Sequence, residues 1–193
     1  MNAAQLETLM NEDVPTLIEM LSLKDDTARY IAFQALLRLT ETPVDWFGSH
    51  RGALARKLAD ENSYQRSIAA MLLCNLAKSA KSGEFDGILD AMMPLADDEK
   101  FITQRQYLQN IWKVAVADGA YRDRIVRQMI EEFNVSAARK HCNLLRLDIL
   151  STMIQIMRHE DAEDLRNAIG AMIDSETDEK SRKKYLKMLD EGI

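Results

Sequence analysis

Three prolines and seven glycines among 193 residues are too few for the many tight turns of a sheet protein, so the chain reads as helical. Only two cysteines occur, Cys74 and Cys142, and neither has a CxxC neighbour. Both sit in apolar segments, as small core residues of a reducing compartment do, which excludes a disulfide framework. No apolar run approaches the roughly 18 residues of a membrane span, and the opening Met1 to Glu7 lacks a basic start and an apolar h-region. The expectation is a soluble, cytoplasmic protein with no membrane partner. Aromatics are sparse at 6%, whereas eleven methionines supply adaptable filling between helices. A formal charge of −6 counts against a general appetite for nucleic acid.

What the chain does have is a returning phrase, in which an acidic turn is followed by an arginine and then a helix rich in Ala and Leu. It stands as Asp25-Asp26-Thr27-Ala28-Arg29, as Asp60-Glu61 leading to Arg66, as Asp98-Glu99 leading to Arg105, and as Asp178-Glu179 leading to Arg182. The first three arginines are 37 and 39 residues apart, the period of stacked helical pairs. The fold class predicted is all-α: an α-α superhelix, a HEAT/armadillo-like solenoid of about five helical pairs filling residues 1–193 as one domain. Aliphatics at i, i+3 and i+4 mark the outer helices, among them Leu17, Ile18 and Leu21, then Ile88, Leu89 and Met92, and Leu165, Ile169 and Met172. Inner helices follow each arginine, with Ala32, Ala69, Ala70 and Ala115 letting neighbours approach closely. In the fourth repeat Arg139, Lys140 and Arg146 each fit the arginine's place. Met1 to Met10 is expected to form a capping turn or helix, Pro15 to sit near the start of the next helix, and Pro94 to shorten the third outer helix near Met93. Asn62 or Ser63, and Thr103 in the next repeat, fit helix caps.

Two strings carry a family likeness, Asn62-Ser63-Tyr64-Gln65-Arg66 and Asp98-Glu99-Lys100-Phe101-Ile102-Thr103-Gln104-Arg105-Gln106. They resemble motifs of a family of small bacterial HEAT-like proteins that carry the label "SufBD protein", over roughly residues 10 to 190. The resemblance implies a helical-repeat fold and no activity. The label itself implies iron–sulfur cluster assembly, although the SufB and SufD components resemble β-helical scaffolds, unlike this Ala- and Leu-rich chain.

Charge is unevenly placed. The inner segments 27–40, 62–80, 100–117, 134–158 and 180–187 hold 16 of the 25 basic residues and a single acid, Asp148. Inner helices of a solenoid line its concave side, so an acidic chain can still present a basic groove. The expected function is a non-enzymatic scaffold that docks an acidic peptide or protein there through Arg38, Tyr64, Arg66, Asn75, Arg105, Gln109, Lys113, Arg139 and Arg146. Arg29, Arg66 and Arg105 are also placed to reach acidic turn residues and form a ladder along the stack. Nucleic acid is the alternative partner, to be told apart by steep salt dependence, and homo-oligomers through terminal helices are a third option.

No GxxxxGK[ST], GxGxxG, HExxH or GxSxG occurs, so no catalytic residue, cofactor or metal is assigned. His141 and Cys142 are helix neighbours that diverge, which argues against a Cys–His couple. The run His159 to Asp164 gathers oxygens without the spacing of a calcium loop. One enzymatic alternative is an alkylated-base DNA glycosylase, whose basic groove Trp112, Tyr107, Arg105 and Asp148 could imitate.

Overall fold

The computed structural model describes residues 13–160 and 163–191, and every regular element among them is helical. The expected cap over Met1 to Met10 lies outside the described residues. Contacts gather in two compact units, Met1–Thr103 and Gln104–Ile193.

In the first unit α1 (Val14–Met20), α2 (Asp26–Leu39), α3 (Phe47–Arg56), α4 (Ser63–Leu76) and α5 (Asp86–Met92) follow one another. Each start has a local cause. Asp13 caps α1, its Oδ1 accepting from Thr16 N at 2.8 Å, and Pro15 stands in the first turn, where its missing N–H costs nothing. Asp25 does the same for α2 through Ala28 N at 2.9 Å. Asn62 caps α4, accepting from Tyr64 N at 3.0 Å. Pro94 ends α5 as expected: the helix stops at Met92 and 93–97 tighten into a 3₁₀ turn. Gly83, at φ +76, makes the left-handed bend ahead of α5 that a side chain resists.

Within this unit α1 packs against α2 and α3, and α2 and α3 each pack against α4. The central helix, α4, buries Ile68, Ala69, Ala70, Leu72, Leu73 and Cys74. Each buried leucine contributes about 1.5–3 kcal/mol relative to exposure, and the alanines set the close spacing. Phe47 and Phe85 stack at 6.1 Å between ring centroids beneath α3.

The division between units falls inside α6 (Phe101–Asn110). Thr103 is therefore not a cap. It is buried in the first turns of α6, donating to Ser63 O at 3.3 Å and meeting the Ser67 hydroxyl at 3.0 Å.

The second unit continues with α7 (Trp112–Ala117), α8 (Gly119–Val135), α9 (Cys142–His159), α10 (Glu163–Asp174) and α11 (Glu179–Glu191). The third inner helix is thus broken at Ile111. The fourth starts at Cys142, because α8 runs to Val135 and 136–138 form a tight turn; Arg139 and Lys140 consequently lie in a connection. Helix α9 is the hub, packing against α7, α8, α10 and α11. Its buried face carries Leu145, Ile149, Leu150, Met153, Ile154 and Ile156, the 3.6-residue pattern of a sandwiched helix.

Candidate functional site

The recurring arginines form joints between elements. In the first unit Arg66 of α4 donates from Nε to Asp98 Oδ2 at 2.6 Å and from Nη2 to Asp98 Oδ1 at 2.8 Å, while Nη1 reaches the carbonyls of Asp60 and Glu61. This fork-on-carboxylate geometry ties α4 to the acidic turn ahead of α6. Both side chains are nearly buried, 10% and 5% exposed. Burial raises the Asp98 carboxyl's proton affinity, but the Arg66 guanidinium and the Lys100 N–H more than offset it, so the carboxyl titrates below its ordinary range. Arg29 serves its own turn, donating to Leu23 O at 2.8 Å and pairing with Asp26.

In the second unit the same device recurs with other partners. Arg105 grips Asp148 of α9 through Nε at 2.6 Å and Nη2 at 3.0 Å, and Gln109, one turn on, donates to the same carboxylate at 2.8 Å. The one acid of the inner segments is thus the anchor of the third inner helix. Of Arg139, Lys140 and Arg146, only Arg146 lies on α9: it donates to Glu176 Oε2 at 2.6 Å and to Phe133 O at 3.3 Å, and it lies over the Phe133 ring at 4.4 Å. Spacing places it 41 residues after Arg105. Burial works against the charged Glu176, but the Asp178 N–H and Arg146 prevail, and its carboxyl titrates below the usual range. Arg139 pairs with Glu132 of α8 at 2.7 Å.

The remaining candidates sit at helix ends. Tyr64 stands at the start of α4, beneath the Arg29 guanidinium at 4.6 Å. At the other end of the same helix Asn75 donates to the Thr40 hydroxyl at 3.3 Å and Lys78 to Glu41 O at 2.7 Å, which sets the closing turns of α2 and α4 side by side with Arg38 exposed on the rim. In the second unit Lys113 donates to Asn110 Oδ1 at 2.7 Å and faces the Trp112 ring at 5.8 Å. The nine candidates therefore separate into joints (Arg66, Arg105, Arg146, with Gln109 and Arg139 assisting) and edge groups (Arg38, Asn75, Lys113, and Tyr64 at the opposite end).

Of the residues suggested for a glycosylase groove, Arg105 and Asp148 meet as an ion pair, and the others have partners of their own. Tyr107 is fully buried with its hydroxyl on Gln128 at 2.6 Å, Asp148 is held by Arg105 and Gln109, and Trp112 meets the His159 ring at 5.2 Å. In the acidic run 159–164, Glu160 and Asp164 bind Arg122, and Asp161 and Ala162 lie outside the described residues. Among the described residues no group of three or more His, Cys, Asp or Glu is arranged to hold a metal, and no helix is long and apolar enough to cross a membrane. Pattern reasoning missed the acceptors Glu132 and Glu176: Glu176 lies 30 residues beyond its arginine, where no local signature marks it, and Glu132 lies seven residues before Arg139, across the tight turn 136–138. Comparison with protein-family models and with curated proteins finds no match to the chain.

Proposed function

We propose that the chain is a non-enzymatic protein-interaction scaffold, a HEAT- or armadillo-like repeat protein of about five helical pairs, whose inner helices dock an acidic peptide or protein segment. One observation carries the reading. The arginines Arg66, Arg105 and Arg146 are neutralised by carboxylates of this chain, whereas at the closing end of α4 Lys78 stands exposed and donates to the Glu41 carbonyl, close to the exposed Arg38. Hydrogen bonding to a carbonyl fixes the Lys78 ammonium in advance, which lowers the ordering cost of binding. Arg38, Asn75 and Lys78 form this edge in the first unit, and in the second Lys113 lies three residues past the end of α6. The likeness of residues 62–66 and 98–106 to the SufBD-labelled family belongs to the same proposal, since both strings supply joints of the scaffold.

A fluorescent peptide rich in Glu and Asp tests it. The expected result is saturable binding that weakens by about tenfold or more on Arg38→Glu with Lys78→Glu, and likewise on Lys113→Glu. Affinity unchanged by either would refute the docking face. A short DNA duplex bound more tightly than the peptide, with the steep salt dependence of phosphate contacts, would move the assignment to nucleic acid.

A further inference from the structure

The opposite ends of these inner helices carry a second, chemically inverted surface. In the first unit Leu23, Tyr30, Tyr64 and Ile102 are 44%, 52%, 37% and 55% exposed. Contacts between their turns bring them to one end of the unit. Arg29 bonds Leu23 O and covers the Tyr64 ring, Tyr30 is the next residue on α2, and Thr103, next to Ile102, bonds Ser63 O, next to Tyr64. Exposed large apolar groups thus recur at the starts of α2, α4 and α6. Single exposed apolar residues are ordinary, but large ones recurring at one end of three helices mark a contact surface.

Its charge is equally organised. The flanking segments 23–30, 60–66 and 97–103 contain seven carboxylates against four bases. Two of those bases, Arg29 and Arg66, are turned inward at 14% and 10% side-chain exposure, while Asp26, which pairs with Arg29, and Glu99, which pairs loosely with Arg66 and Lys100, still face solvent at 86% and 69%. Two aromatic rings among surplus carboxylates suit guanidinium and ammonium groups carried on an apolar stem.

We infer that this edge docks a basic amphipathic segment of another protein: Lys or Arg against Asp26, Glu61 and Glu99, and aliphatic or aromatic side chains against Tyr30, Tyr64 and Ile102. A second copy of this chain is a poorer occupant. Its formal charge of −6 opposes the approach of a second copy to a surface with surplus carboxylates.

The test uses the full chain and a labelled helical peptide of about 16 residues with Lys and Arg on one face and Leu on the other. The control peptide has Glu at the basic positions. The basic peptide should bind, and Glu61→Lys with Glu99→Lys should weaken it by about tenfold or more at about 50 mM salt. Tyr30→Ser with Ile102→Ser should weaken it by a similar factor at about 300 mM salt, where diffuse attraction to an acidic protein is screened. Circular dichroism melts confirm that the variants fold, and Tyr30→Ser alone serves if the pair does not. Absence of binding, or binding that neither pair alters, overturns the proposal. So does a concentration-dependent dimer abolished by Glu61→Lys with Glu99→Lys, since the occupant would then be the chain itself.

Discussion

Arg66 shows how one side chain serves a repeat. Its guanidinium fills its hydrogen bonds with two carbonyls of its own turn and both oxygens of Asp98, so that charge, fork geometry and burial act on the same joint. Removing one half of such a pair strands the other charge. Arg66→Leu should therefore cost about 3 kcal/mol or more, read as a lower urea midpoint. Adding Asp98→Leu should return much of that loss, since a joint made of two apolar side chains strands no charge. A double variant no better than the single one would show that Asp98 is not the acceptor that matters. Tyr185 poses the reverse case. It is 1% exposed, and its hydroxyl has no hydrogen-bond partner among the described residues. Burial, with the nearby Glu176 carboxylate, raises its proton affinity. An unsatisfied buried hydroxyl is a liability, so Tyr185→Phe should leave stability unchanged or raise it by up to about 1 kcal/mol. A loss of more than about 1 kcal/mol would mean that the hydroxyl is bonded after all.

Between elements, the joints make stability depend on acid. Asp98 and Glu176 hold folded-state pKa values below their ordinary ones. A depressed carboxylate contributes stability that is fully present above its unfolded value and is lost as pH falls through its folded value. Urea midpoints should accordingly be level down to about pH 5 and fall below about pH 4. Glu176→Gln should flatten part of that fall, and an unaltered slope would place the acid sensitivity elsewhere. These same joints show what was legible in the chain. Asn62, Pro15, Pro94 and the arginine spacing were readable because caps, prolines and periods are local signals. The acidic turn before α6, Asp98-Glu99, was readable as part of the recurring phrase. What was not readable depended on packing: the break at Ile111, the late start of α9 that moved Arg139 off the inner helix, and the burial of Thr103 against Ser67. Asp148, conspicuous as the lone inner acid, turned out to be an anchor for Arg105 and Gln109, which no one-dimensional pattern distinguishes from a surface charge.

At the scale of the whole molecule, a net charge of −6 conceals local polarity, clearest along α4. Tyr64 and Asn75 lie eleven residues apart on α4, about 16 Å along its axis, with acidic turns at one end and bases at the other. That arrangement lets the proposed scaffold hold an acidic and a basic partner without competition. Repeat proteins further couple each pair mainly to its neighbours, so damage at one end should stay local. Helix α11 closes the second unit by packing on α9 and α10, with the Tyr185 ring against Phe133 at 6.3 Å. Ending the chain after Asp178 removes that cover and leaves the Arg146–Glu176 joint beside solvent. Hydrogen exchange should then show α9 losing protection, while α2 and α4 keep theirs and the Arg38 edge still binds its acidic peptide. Equal loss of protection in α2 and α4 would mean that the chain unfolds as one cooperative body, and the nearest-neighbour picture on which the scaffold reading depends would fall with it.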